Sequence, residues 1–192
     1  MRMVYIVLSC FMFCACNQDS PAPSPVFGSD ISSSGFSNAL SLTDHTGKVR
    51  HLADFKGKVV ALFFGYTHCP DVCPTTLSEL AQAMKLLGKR NVETQVLFVT
   101  LDPERDTQQV LAKFVPFFNS RFIGLYGTSE QIAEAAKNFK VYFAKQEVTE
   151  KSGYSIDHSA GIYLFDKSGK IRIYLKYGQS AEEIAHDIGT LL

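Results

Sequence analysis

The stretch Val59-Val60-Ala61-Leu62-Phe63-Phe64-Gly65-Tyr66-Thr67-His68-Cys69-Pro70-Asp71-Val72-Cys73-Pro74 decides the fold. Its first six residues are apolar without interruption, the pattern of a strand buried on both faces. Beyond it, Leu77, Leu80, Ala81, Met84 and Leu87 recur at helical spacing from near Pro74, and Gly88 supplies a stop. Two cysteines separated by three residues therefore lie where a buried strand gives way to a helix N-terminus. Backbone N–H groups and the helix dipole converge there and favour anions, a thiolate included. Pro70 and Pro74 stiffen the loop, and Pro74 forfeits no hydrogen bond if it takes the first helical position.

Working outward, Ala39 to Thr43 alternates apolar and polar, Asp44-His45-Thr46-Gly47 forms a turn, and Val49 to Leu52 completes a hairpin. Downstream, Val96 to Leu101 reads as a second buried strand that ends in Asp102-Pro103-Glu104-Arg105-Asp106. A helix over Thr107 to Phe118 follows, with Pro116 as its end or kink, and then a short strand over Phe122 to Leu125. Thr128 and Gln131 stand at capping-box spacing ahead of Ile132, Ala135, Ala136 and Phe139. Lys145 to Asp157 is polar and predicts a long loop or an extra hairpin. Ile162 to Phe165 and Ile171 to Leu175 flank a Gly turn, and Ser180 with Glu183 caps a final helix. Strands separated by helices, closing with a hairpin and a helix, predict an α/β fold with a central mixed sheet. A cysteine pair after the first buried strand makes this layout thioredoxin-like, with an N-terminal hairpin and an insertion before the penultimate strand as additions.

Length and composition fit one domain behind a leader. The 192 residues balance 19 basic against 19 acidic side chains with no clustered basic excess, which argues against a nucleic-acid partner. Met1-Arg2-Met3 precedes an uncharged apolar run from Val4 to Ala15, long enough for a signal-peptide core and short for a membrane span. Phe13-Cys14-Ala15-Cys16 resembles a bacterial lipobox with Cys16 as the lipidated residue; Val7-Leu8-Ser9-Cys10 competes but leaves too short an apolar core. Residues 1–16 are thus expected to be a lipoprotein-type signal peptide, 17–37 a Ser/Pro/Gly-rich tether, and 38–192 the domain. That arrangement predicts an extracytoplasmic domain anchored at Cys16.

With Cys16 acylated, the domain keeps Cys69 and Cys73. A structural disulfide between them would close only a tiny loop and add little stability. A redox couple differs from the thioredoxin type by one extra intervening residue, and the Asp71 carboxylate opposes a thiolate that the helix favours. A metal site of two thiolates and an imidazole suits Cu(I), with Cu(II) accessible, better than structural zinc, which takes four ligands. Met84 is the only methionine beyond the leader and reads as core, so copper would depend on the cysteines. Among the five histidines, His68 adjoins Cys69, and His158 lies before the penultimate strand, where this fold brings the loop over the cysteines. His45, His51 and His186 read as surface. The Asp102–Asp106 block reads as a strand–helix connector whose acids suit a helix start.

Three ordered motifs carry a family resemblance: Gly65 to Pro74, Leu101-Asp102-Pro103-Glu104-Arg105-Asp106-Thr107, and Asp157-His158-Ser159. Together they resemble the Sco/SenC family over roughly Phe36 to the C-terminus. The resemblance implies a thioredoxin-like, membrane-tethered protein holding a copper ion, Cu(I) or Cu(II), through Cys69, Cys73 and His158. It further implies assembly of the dinuclear copper centre of cytochrome c oxidase, as metallochaperone or as thiol reductant. The partners would be oxidase subunit II, or another copper or thiol acceptor, and a copper donor. His68 stands as an accessory ligand only. A general thiol–disulfide oxidoreductase using the same pair is the alternative. A thiol peroxidase fits less well, because Gly65 and Tyr66 occupy the region where such enzymes carry Pro and Thr or Ser.

Overall fold

Burial on both faces makes Val59–Gly65 the centre of the protein, with all seven residues buried. The structure, a computed structural model, describes residues 25–36, 39–149 and 153–192. The expected signal peptide, Cys16 and the first part of the tether lie outside the described residues. The elements are β1 (Ser29–Asp30), β2 (Ser41–Asp44), β3 (Val49–His51), β4 (Val59–Gly65), α1 (Val72–Leu86), β5 (Thr94–Thr100) and α2 (Gln108–Phe118). They continue with β6 (Ile123–Tyr126), α3 (Ser129–Asn138), β7 (Phe143–Thr149), β8 (Gly153–His158), β9 (Ile162–Phe165), β10 (Ile171–Leu175) and α4 (Ala181–Leu191). Short 3-10 helices cover Leu52–Phe55 and Gly88–Glu93.

Eight strands form one mixed sheet in the order β1-β10-β9-β4-β5-β6-β2-β3. β4 runs parallel to β5 from Val59↔Thr94 to Gly65↔Thr100, and antiparallel to β9 from Val60↔Phe165 to Phe63↔Ile162. Helices flank this sheet, and the fold is thioredoxin-like, as its sequence pattern predicts. The core is rich in aromatic rings. Phe64 and Tyr163 pack 5.6 and 5.7 Å from Phe139, whose carbonyl accepts the Tyr163 hydroxyl at 2.8 Å. Each such fully buried side chain contributes about 1.5–3 kcal/mol. Among the described residues no helix is long and apolar enough to cross a membrane.

Local signals act as their chemistry requires. Leu77, Leu80, Ala81 and Met84 face the core from α1, and Gly88 terminates it at φ 56°. The helix starts earlier than Pro74, at Val72 with Asp71 as N-cap. Pro74 is its third residue, still among the positions whose N–H has no intrahelical partner. Thr128/Gln131 and Ser180/Glu183 both form reciprocal capping boxes. The insertion at Lys145 to Asp157 is a hairpin: β7 pairs with β8, apart from the main sheet.

The tether expectation needs correcting. Ser29–Asp30 forms the edge strand β1 on β10, and the Phe27 and Gly28 N–H groups donate to the fully buried Asp187 carboxylate at 3.0 and 2.7 Å. This segment is held through its backbone and through Val26, Ile31 and Phe36 packing on the core, a spacing with no regular apolar periodicity to read. Gly28 is required sterically: a Cβ there would sit 2.4 Å from Ile173 Cγ2. His45 also departs from the surface reading, since it is half-buried and its Nδ1 accepts the Gly124 N–H at 3.0 Å.

Candidate metal and thiol centre

The end of β4 delivers the chain directly to the cysteines. Gly65 has no side chain because Cys73 Sγ occupies that space; a Cβ would lie 2.7 Å from the sulfur. Cys73, in the first turn of α1, is fully buried, while Cys69 in the loop is half-buried. Both are free thiols. The Cys73 N–H donates to Cys69 Sγ at 3.4 Å, a helix N-terminus aimed at a sulfur.

The two thiols polarise one another. The Cys73 thiol is the main group holding Cys69 down, to about 4, with the N–H groups of Cys73 and Asp71 adding to it against partial burial. The same contact with Cys69, together with burial, pushes Cys73 well above the ordinary thiol range. The pair thus shares one proton, which sits on the buried sulfur. Asp71 does not offset this, because its carboxylate is turned to Thr75 Oγ1 at 3.1 Å. Iodoacetamide is expected to label Cys69 at a rate that changes little between pH 6 and pH 9. An ordinary thiol's rate climbs about 200-fold over that range. Mass spectrometry of the alkylated peptides checks this, and a steep climb at Cys69 would place the proton there instead.

His158 ends β8 and brings Nε2 to 3.6 Å from Cys73 Sγ. Its Nδ1 lies 3.0 Å from the Ser159 carbonyl. A carbonyl can only accept, so Nδ1 carries a proton, and in the neutral ring Nε2 turns a lone pair to the sulfurs. That is the tautomer a metal-ligating histidine adopts. Tyr66 and Phe63 hold the ring, with centroids 5.9 and 6.4 Å away. The ligand atoms of Cys69, Cys73 and His158 all lie within 4.8 Å of one another. Two sulfurs and one nitrogen at that spacing can hold a soft ion of low coordination number. The fit rests on the donor set and on the His158 tautomer together.

His68 falls in a different cluster. It is exposed, and its Nδ1 is 3.2 Å from Thr67 Oγ1 and 3.9 Å from Asp106 Oδ1, grouped with Asp102 and Asp106 rather than with the sulfurs. Asp157 is exposed on β8.

The Asp102–Asp106 block does more than open a helix. Asp106, buried beneath the cysteine loop, accepts from Thr67 N at 2.9 Å, Thr67 Oγ1 at 2.6 Å and Thr100 Oγ1 at 2.6 Å. Burial raises its pKa in spite of these donors. Asp102 accepts the Tyr154 hydroxyl at 2.6 Å and pairs with Arg105. Arg105 stacks 3.6 Å over the Tyr154 ring and donates to the Tyr154 carbonyl at 2.9 Å. One aspartate therefore fixes the loop that carries the sulfurs, and the other clamps the hairpin that carries the imidazole. Thr67 adjoining the cysteines and an aspartate at each end of the second motif were the available signals. Tyr154 left none.

These features define a thioredoxin-like domain with a dithiol–imidazole centre at a helix N-terminus. A sequence model described as SCO1/SenC matches residues 29–192, and the chain belongs to that family. It is 42% identical over 151 residues to the mitochondrial protein SCO2 homolog of Bos taurus, covering 78% of this chain and 57% of that protein. The chain thus spans less than two thirds of that relative. Bradyrhizobium japonicum ScoI, solved with copper bound, is 36% identical with a TM-score of 0.75, over 82% of this chain and 99% of that one. A SCO1/SenC family lipoprotein from Bacillus anthracis is 26% identical with a TM-score of 0.66, over 80% and 92%.

Proposed function

We propose that this chain is a membrane-tethered, extracytoplasmic copper-binding protein that serves assembly of the dinuclear copper centre of cytochrome c oxidase. Cys69, Cys73 and His158 hold one copper ion, Cu(I) or Cu(II), taken from a donor protein and passed to oxidase subunit II or another acceptor. Residues 1–16 act as the signal peptide, and lipid at Cys16 anchors residues 38–192, with their N-terminal strap, on the periplasmic side of a bacterial membrane. The observation that carries the copper reading is the convergence of two sulfurs and the His158 imidazole nitrogen within 4.8 Å. The copper-bound relative and the lipoprotein relative support the cargo and the anchor respectively.

Titration of the reduced protein with Cu(I) tests this, with one equivalent bound as the expected result. His158→Ala is expected to weaken binding about 10-fold or more, the scale on which even outer-shell groups act, without lowering the unfolding midpoint. Equal binding by that variant would remove His158 from the ligand set.

A second reading is favoured by the shared proton: a thiol–disulfide reductase. The Cys69 thiolate attacks a substrate disulfide and one substrate thiolate leaves; Cys73 then attacks the mixed disulfide, releasing the second thiol and leaving Cys69–Cys73 oxidised. Turnover undiminished by a copper chelator would favour this role.

A further inference from the structure

The end of the domain opposite the cysteine loop has a surface that the copper site does not use. Because β4 and β5 are parallel, α1 and α2 each start at the cysteine edge of the sheet and return to the other edge. Three large apolar side chains are exposed there: Leu86 (56%) in the last turn of α1, Val92 (59%) in the 3-10 helix Gly88–Glu93, and Phe117 (83%) in the last turn of α2. Beside them lie the exposed cations Lys85, Lys89, Arg90 and Arg121, with Lys56 and Lys170 in the other loops of this edge.

The loops form one continuous end. Arg121 Nη2 donates to Asn91 O at 3.1 Å, and Gly57 N to Lys167 O at 2.8 Å. The acids of these loops are engaged: Glu93 pairs with Lys167 at 2.6 Å, and Asp166 with Arg172 at 3.1 Å. The result is a face with excess positive charge and projecting apolar groups. The chain also enters the domain on this side, since Pro25 and Val26 line a cavity of about 480 Å³ with Thr190 and Leu191 at the C-terminal end of α4.

We propose that this end is a docking face for an anionic lipid surface. Lysine and arginine sit at the headgroups while Phe117, Leu86 and Val92 enter the boundary region, the division of labour of interfacial protein surfaces. Docking in this way turns the cysteine loop outward, away from the lipid by the length of β4, about 20 Å. The inference relies on the tethered reading only for bringing the domain to a membrane.

The chain has no tryptophan, so Phe117→Trp provides a single local fluorophore on this face. The full chain is mixed with phosphatidylglycerol or phosphatidylcholine vesicles, and emission and quenching by brominated lipid are read beside co-sedimentation in high salt. A blue shift and quenching with phosphatidylglycerol, much weaker with phosphatidylcholine, are expected. Adding Lys85→Glu, Lys89→Glu and Arg90→Glu should weaken this vesicle response about tenfold or more. An unshifted emission from sedimented protein overturns the docking face while leaving the anchor intact. A blue shift at low salt without co-sedimentation at high salt keeps the docking face and removes the anchor. A shift unaffected by the charge reversals overturns the anionic assignment.

Discussion

A Cys69→Ala/Cys73→Ala variant is expected to lose copper altogether, its affinity for Cu(I) falling at least about 1,000-fold in competition with a chelator. Without the sulfurs only the His158 Nε2 remains at the centre, and one neutral nitrogen cannot hold a soft ion against a competing chelator. Among the described residues no other soft ligand stands ready: Met84 is 2% exposed in the core, and His68 lies with the carboxylates. The fold should survive. Cys69 is half-buried, and removing the Cys73 sulfur beside Gly65 leaves a small void costing about 1 kcal/mol. Copper affinity and the urea midpoint are measured on the same preparation. Retained affinity in a folded variant would move the site away from the cysteines.

Asp106→Ala is expected to damage both stability and the site, lowering unfolding free energy by about 2–4 kcal/mol. The carboxylate is the acceptor for Thr67 N, Thr67 Oγ1 and the buried Thr100 Oγ1, and its removal leaves all three donors without that acceptor. The Thr67 segment then loses its fixed height above β5, and Cys69 moves relative to Cys73. Asp106→Asn should be milder, because it keeps an acceptor oxygen while relieving the burial of charge that raises the Asp106 pKa. Denaturant unfolding and the Cys69 alkylation profile read the two effects separately. An alanine variant with wild-type values in both would reduce Asp106 to a bystander.

Much of the fold is legible in the chain because its signals are local. The apolar run at β4, the helical spacing of Leu77, Leu80 and Met84, and both capping boxes report on nearest neighbours. The convergence of Cys69, Cys73 and His158 follows from strand order and from three motifs in sequence. What stays hidden is held by groups distant in sequence. β1 pairs with β10, and the Phe27–Gly28 segment before it donates to the Asp187 carboxylate some 160 residues on, so this Ser/Pro/Gly-rich sequence reads as a tether. The grip of Asp106 on Thr67 spans 39 residues, and the Tyr154–Asp102 bond spans 52. Acids at a helix start already have a local explanation, which masks the tertiary one.

If Cys69, Cys73 and His158 hold copper as proposed, the separation of β7 and β8 from the main sheet bears on how quickly that ion can change hands. Two donors stand on the rigid junction of β4 and α1, and the third stands on a hairpin with its own two-stranded ladder. Withdrawing the imidazole therefore requires loosening Arg105, Tyr154 and Asp102 and the Tyr66 hydroxyl bond to Ile156 N, with every bond of the eight-stranded sheet left in place. Opening of that kind is a sub-global event, below the free energy of unfolding. Under the proposed function, an acceptor thiol could meet the two sulfurs while the eight-stranded sheet stays closed, so exchange would call for loosening these hairpin contacts rather than unfolding the domain.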